Sequence, residues 1–211
     1  MLRIRVIPVL LLIDDGLYKT IRFKDPRYIG DPINAVKIFN EKEVDELVVF
    51  DISSSEEGKS PNFNLIENIA TECFMPICYG GGINTLEEAS KLFRLGVEKI
   101  SINTAGINRP EFIQELSEKY GKSSIVISID VKKDIFGKYY VYTNRGKKNT
   151  GIRVEEWVKR VEEFGAGEII INDIDRDGTM EGYDIKLLNM VSKVSHVPIV
   201  ACGGAGNLED F

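Results

Sequence analysis

The residues able to do chemistry in this sequence stand where apolar runs of strand length stop. Asp51 closes Leu47-Val48-Val49-Phe50, Gly80-Gly81-Gly82 closes Pro76-Ile77-Cys78-Tyr79, and Asn103-Thr104 closes Ser101-Ile102. Asp130 ends Ser124-Ile125-Val126-Ile127-Ser128-Ile129, Asp173 through Asp177-Gly178-Thr179 follow the next run, and Gly203-Gly204 ends the last. A carboxylate after so apolar a segment as the one before Asp130 is partly shielded from water, so its pKa can be tuned for general acid or base work. A structural carboxylate bonded to loop amides is the alternative reading. Gly82 with Asn103 and Thr104 offers backbone N–H groups, an amide and a hydroxyl, a set suited to one phosphate. Gly178 and Gly204 supply a matching cradle, and two cradles predict an elongated ligand with a phosphate at each end. Glycines that serve only as tight turns are the competing explanation.

Other chemistries have little to be built from. His196 is the single histidine, and Cys73, Cys78 and Cys202 are neither clustered nor even in number, so no metal site and no histidine-based triad is expected. No cofactor is expected either. The net charge of −6, with basic residues interspersed among acids, argues against a nucleic-acid partner. The run from Met1 to Ile13 imitates a signal peptide, but Pro8 interrupts it and Asp14-Asp15-Gly16 follows without a small-residue cleavage site. A buried first strand, a cytoplasmic location with core thiols, and no membrane association are the expectations.

Apolar strands alternate with amphipathic helices along the chain. Strands are predicted near 4–13, 46–52, 76–80, 98–103, 124–130, 168–173 and 197–202, and helices near 31–43, 62–73, 85–96, 109–120, 153–165 and 184–194. Pro32 after Asp31 and Thr85 with Glu88 mark two helix starts. Residues 131–150 form a polar insertion holding a hairpin at Tyr139-Tyr140-Val141-Tyr142, read either as a substrate-covering loop or as a solvent loop. The segment from Met75 to Gly82 recurs from Val197 to Gly204, and Asp45–Ile52 recurs as Gly167–Ile174, both at an offset of 122. Duplicated halves with near-continuous Val and Ile strands predict a (βα)8 TIM barrel, a single domain of residues 1–211 with halves of about 1–122 and 123–211. A barrel usually needs about 250 residues, so the last helix-strand-helix is expected to be missing from this chain.

Gly80-Gly81-Gly82-Ile83, Ser101-Ile102-Asn103-Thr104-Ala105, Ser128-Ile129-Asp130, Asp175-Arg176-Asp177-Gly178-Thr179 and Gly203-Gly204-Ala205-Gly206, in this order and spacing, resemble the HisF family, the cyclase subunits of imidazole glycerol phosphate synthase. That resemblance implies a lyase-type synthase barrel that takes ammonia from a glutaminase subunit docked at its bottom and uses it on a phosphorylated small molecule. It also implies Asp130 as catalytic residue and Lys19, Asp51, Gly82, Asn103, Thr104, Asp177, Gly178 and Gly204 as substrate contacts. Arg5, Glu46, Lys99 and Glu168 match the family's charged ammonia gate.

One position departs from the family. Its second catalytic aspartate, at the end of the first strand, is Leu11 here, and Asp14 and Asp15 come three and four residues later. Leucine cannot move a proton. Val9–Leu12, Arg22–Ala35 and Cys73–Gly80 are similar instead to the WbuZ-type paralogues of surface-polysaccharide synthesis, which implies ammonia delivery for converting an acetamido into an acetamidino sugar beside a sugar amidotransferase. Gly146–Gly151 looks more like the histidine-pathway enzyme. The alternatives are that cyclase, a non-catalytic glutaminase-binding scaffold and, last, the related sugar-phosphate isomerase.

Overall fold

The computed structural model describes residues 4–54 and 59–211; Met1–Arg3, the head of the first apolar run, and residues 55–58 lie outside it. Contacts group the chain into two compact units. The first runs to Lys19 and from Arg27 to Ser101. It contains β1 (Val9–Ile13), most of β2 (Gly16–Ile21) and β3 (Lys24–Gly30), α1 (Pro32–Glu41), β4 (Leu47–Asp51), α2 (Phe63–Glu72), β5 (Ile77–Gly80), α3 (Leu86–Arg94) and most of β6 (Lys99–Ile102). Within it β1 pairs parallel with β4, β4 with β5 and β5 with β6.

The second unit is Ile102–Phe211 with the hairpin tip Thr20–Pro26. It holds α4 (Thr104–Asn108), α5 (Glu111–Tyr120), β7 (Ile125–Lys133), β8 (Tyr139–Thr143), β9 (Lys148–Arg153), α6 (Val154–Glu163), β10 (Glu168–Asp173), α7 (Ile185–Ser192) and β11 (Ile199–Cys202). There β7 pairs parallel with β10 and β10 with β11. Parallel strands joined through helices make each unit a run of βα repeats, and seven of the eight strands of a TIM barrel fall among the described residues.

The predicted elements follow from patterns the folded chain obeys. β5 and β10 are buried at every position, as strands covered on both faces must be. On α6, Val154, Trp157, Val158 and Val161 recur at helical spacing and are all buried, each worth about 1.5–3 kcal/mol relative to exposure. Asp31 caps α1 by accepting from the Asn34 N–H at 3.0 Å, with Pro32 in the first turn. Thr85 and Glu88 bond reciprocally to each other's backbone at 3.2 and 3.1 Å, closing the capping box of α3.

Three features differ from expectation. The first strand begins at Val9, not at residue 4, because Asp45 takes the Val6 N–H at 3.0 Å and Pro8 has no N–H to give. Ile4 is left 65 % exposed. Behind β1 comes an unpredicted antiparallel strand, β2, and the β2–β3 connection turns on Arg22 and Phe23, both at positive φ (53° and 61°). The 131–150 insertion holds the expected hairpin at Tyr139–Tyr142, as β8 paired antiparallel with β9, but is built into the sheet rather than standing as a loop: β7 runs on to Lys133 and β8 pairs antiparallel with it, with Tyr139 and Val141 buried.

The duplication reappears as a repeated contact. Gly81 at φ 125° lies so close to the Asp51 carbonyl that a Cβ would stand 2.3 Å from its oxygen. Gly203 at φ 93° approaches the Asp173 carbonyl in the same way, with 2.7 Å for the corresponding distance. Both pairs keep the 122-residue offset, and in each the aspartate side chain accepts the N–H two residues on, Ser53 and Asp175, at 3.0 Å.

Candidate functional site

In the second unit, the register of β10 against β7 sets Asn172 beside Asp130, and that of β11 sets Cys202 beside Asn172. Asp130 is buried and held from two sides: Asn103 Nδ2 donates to Oδ2 at 2.9 Å and Asn172 Nδ2 to Oδ1 at 3.4 Å. Asn103 occupies the N-cap position of α4, yet its side chain makes no cap bond and is committed to the aspartate. Burial lifts the Asp130 carboxyl to about 7; the two asparagine hydrogen bonds oppose that rise and the Asp177 charge adds to it. A carboxyl poised near neutrality can both release and accept a proton at physiological pH.

Asp177 has work of its own. Its Oδ2 accepts from Thr20 Oγ1 at 2.8 Å and from the Phe23 N–H at 3.2 Å, while its carbonyl accepts from the Arg22 N–H at 2.8 Å. Arg22 Nε adds a bond to the Asp175 carbonyl at 3.1 Å. These bonds offset the cost of two non-glycine residues at positive φ. Burial raises the Asp177 pKa against the pull of its Thr20 and Phe23 donors. Thr20→Val is expected to lower hydrogen-exchange protection of the Phe23 amide about tenfold, since a bond to a charged acceptor is worth about 1.5–3 kcal/mol; unchanged protection would show that the bond does not hold the tip.

Gly178 lies against the Thr20 carbonyl, with 2.3 Å from a Cβ position to that oxygen, and Gly204 packs on Gly182, whose N–H donates to the Gly204 carbonyl at 2.8 Å. Thr104 opens α4 half-buried. Asp173, lifted by burial to about 6, stands 4.0 Å from Arg176 Nε, and Arg176 also donates to the Glu181 and Gly182 carbonyls. Tyr139 donates to Asp184 at 2.8 Å, and Asp184 caps α7. Burial pushes the Cys202 thiol up to about 12.

The first unit carries the remaining sequence-derived positions. Asp51 is buried and accepts from Ser53 and Ser54, through both backbone N–H groups and both hydroxyls. Gly82, at φ 68°, packs against the Lys59 carbonyl and Ser54, and Lys19 is exposed on β2. Leu11 lies within β1, paired with Phe50 of β4 and Tyr18 of β2. Asp14 and Asp15 occupy the exposed β1–β2 turn, and Asp15 accepts from Asn62 at 2.8 Å. Glu46, buried just ahead of β4, accepts from Arg5 Nη1 at 3.0 Å and Lys99 Nζ at 2.8 Å through one oxygen. Glu168, its counterpart at the 122-residue offset, is buried at the head of β10 in the second unit.

Asn172, Thr20 and Phe23 were not singled out by sequence. The signal for Asn172 was nonetheless present: at the 122-residue offset it replaces Phe50, a polar residue in a position the first half fills with an aromatic.

Parallel strands joined by helices, with the candidate acids and amides on the strands and in the loops that follow them, are the arrangement of the (βα)8-barrel fold. The chain matches the family described as "Histidine biosynthesis protein" over residues 5–211. It is 52 % identical over its whole length, and over 84 % of the relative's, to "Putative imidazole glycerol phosphate synthase subunit hisF2" of Pseudomonas aeruginosa. It is 52 % identical to the similarly named HisF protein of Leptospira borgpetersenii, over 99 % of this chain and 83 % of that one. Against "Imidazole glycerol phosphate synthase subunit HisF" of Chlorobaculum tepidum the identity is 43 %, with 99 % and 83 % covered. This chain belongs to the HisF family of imidazole glycerol phosphate synthase cyclase subunits. Among the described residues no helix is long and apolar enough to cross a membrane.

Proposed function

We propose that this HisF-family subunit uses ammonia supplied by a glutaminase partner on a phosphorylated sugar-type substrate, and that it serves acetamidino-sugar formation beside a sugar amidotransferase rather than imidazole ring closure. One observation carries the choice: β1 offers Leu11 where the family resemblance places a second catalytic aspartate, and Asp14 and Asp15 sit in the exposed turn beyond it. Asp130 is the general acid or base. Asn103 orients it, and Thr104, Gly82 and Lys19 serve substrate binding in the resemblance, as do Asp51, Asp177, Gly178 and Gly204. Arg5, Glu46 and Lys99 contribute to the ammonia gate, with Glu168 as their fourth member by resemblance. The protein acts in the cytoplasm as one domain of two halves.

Purified protein with its glutaminase, assayed for imidazole glycerol phosphate formation, tests the reading. Turnover about 10²-fold or more below that of a two-aspartate cyclase is expected from the loss of one acid–base group, and Leu11→Asp should recover part of it. Robust turnover by the unaltered chain would instead favour the histidine-pathway cyclase, the second reading, which the similarity of Gly146–Gly151 to that enzyme supports.

A further inference from the structure

Asn172 is buried and presents two different ends to the second unit's site. Its Nδ2 points at Asp130 Oδ1, while its Oδ1 accepts from no protein donor among the described residues. When Asp130 is ionised, the opposite orientation of the amide would set oxygen against the carboxylate, so in that state the arrangement is fixed by Asp130 itself. A buried carbonyl oxygen without a donor is costly to keep. It stands next to a carboxylate whose Oδ2 is taken by Asn103 and whose Oδ1 has a lone pair to spare.

We infer that Asn172 is a positioning residue which, together with Asp130 Oδ1, holds a compact N–H donor, ammonia or ammonium, where β7 and β10 pair at these two residues. The inference rests on the proposed use of ammonia and names where in this chain it would be held.

The chemistry of the lining favours that occupant. Two acceptors side by side repel a phosphate or carboxylate, and the Asp177 charge that acts on Asp130 adds to that repulsion. A sugar hydroxyl brings one proton and satisfies one acceptor. A nitrogen with two or more N–H groups satisfies both. Water also carries two protons, and it is the competitor the experiment must separate.

The full chain, labelled with ¹³C at aspartate carboxyls and assigned through Asp130→Asn, is titrated with ammonium chloride and, at equal ionic strength, tetramethylammonium chloride, which has no N–H. Ammonium is expected to lower the titration midpoint of Asp130 saturably and tetramethylammonium to leave it in place. Asn172→Thr retains an acceptor that can also donate to Asp130 and should keep the ammonium response. Asn172→Val, of similar shape, should need about tenfold more ammonium or lose the response. Equal effects of the two salts on the natural chain, or an unchanged response in Asn172→Val, would overturn the assignment. If Asn172→Val does not fold, Asn172→Ala is read by the same criterion. No acceptor substrate is involved, so failure of the amidation reading in the imidazole glycerol phosphate assay would leave this result standing.

Discussion

Asp130→Asn is expected to lower turnover about 10²–10⁴-fold and, in the same protein, to raise stability at pH 8. Burial lifts the Asp130 carboxyl from 3.8 to about 7 in the folded chain. The folded state therefore holds a proton that the unfolded state gives up near pH 4. Between these values the native state binds more protons, so the group's contribution falls as pH rises and is fully lost just above 7. A tenfold change in proton affinity is worth about 1.4 kcal/mol, which sets a ceiling of about 4 kcal/mol; about 2 kcal/mol is expected, because the two asparagine donors must rearrange. Asn172 can do so by turning its unused Oδ1 toward the new amide. Denaturant unfolding of both proteins from pH 4 to pH 8 measures the effect; Asp173, lifted to about 6, titrates in both and cancels. Identical pH dependence would mean that Asp130 titrates as an ordinary surface carboxylate.

The second large effect concerns Glu46. One buried carboxylate oxygen serves both Arg5 and Lys99, so Glu46→Ala removes an ion-pair partner from two cations at once, and about 2 kcal/mol of stability is expected to be lost. Lys99, with its side chain 20 % exposed against 39 % for Arg5, is the less hydrated of the two cations. Glu46→Gln keeps the volume and an acceptor, and should lose less. Under the proposed function, the Gln variant loses glutamine-driven turnover while turnover with ammonium chloride persists. A parallel fall in both would remove Glu46 from the gate and leave it a structural carboxylate.

Much of this could be read from the chain, and what could not has physical reasons. The parallel strands and their helices announce themselves because burial on both faces demands unbroken Val and Ile, and Asp31-Pro32 and Thr85-Glu88 are local signals that need no partner. The β2–β3 hairpin was hidden. Its turn residues, Arg22 and Phe23, stand at positive φ where asparagine or glycine is the usual sign, and they are held by Asp177, more than 150 residues away in the sequence. β1 starts later than its apolar run suggests for a similar reason: Asp45 takes a backbone N–H that the run alone would assign to a ladder. Asp130 is legible from the apolar run it follows, although β7 continues past it to Lys133. Its setting is not, since Asn172 reaches it only through the pairing of β10 with β7.

The glycine seated on an aspartate carbonyl, at Gly81 and again at Gly203, has a bearing on how this chain can change over time. Each pairing was inherited from one ancestral half, and each still forbids a side chain at its glycine. Around them the halves differ, with Phe50 in one where the other has Asn172, so the two turns are points of identity between halves that are otherwise unlike. The molecule thus contains its own replicate: alanine placed at Gly81 and at Gly203 asks one question twice, and the difference between the answers measures how far the surroundings of each half have diverged.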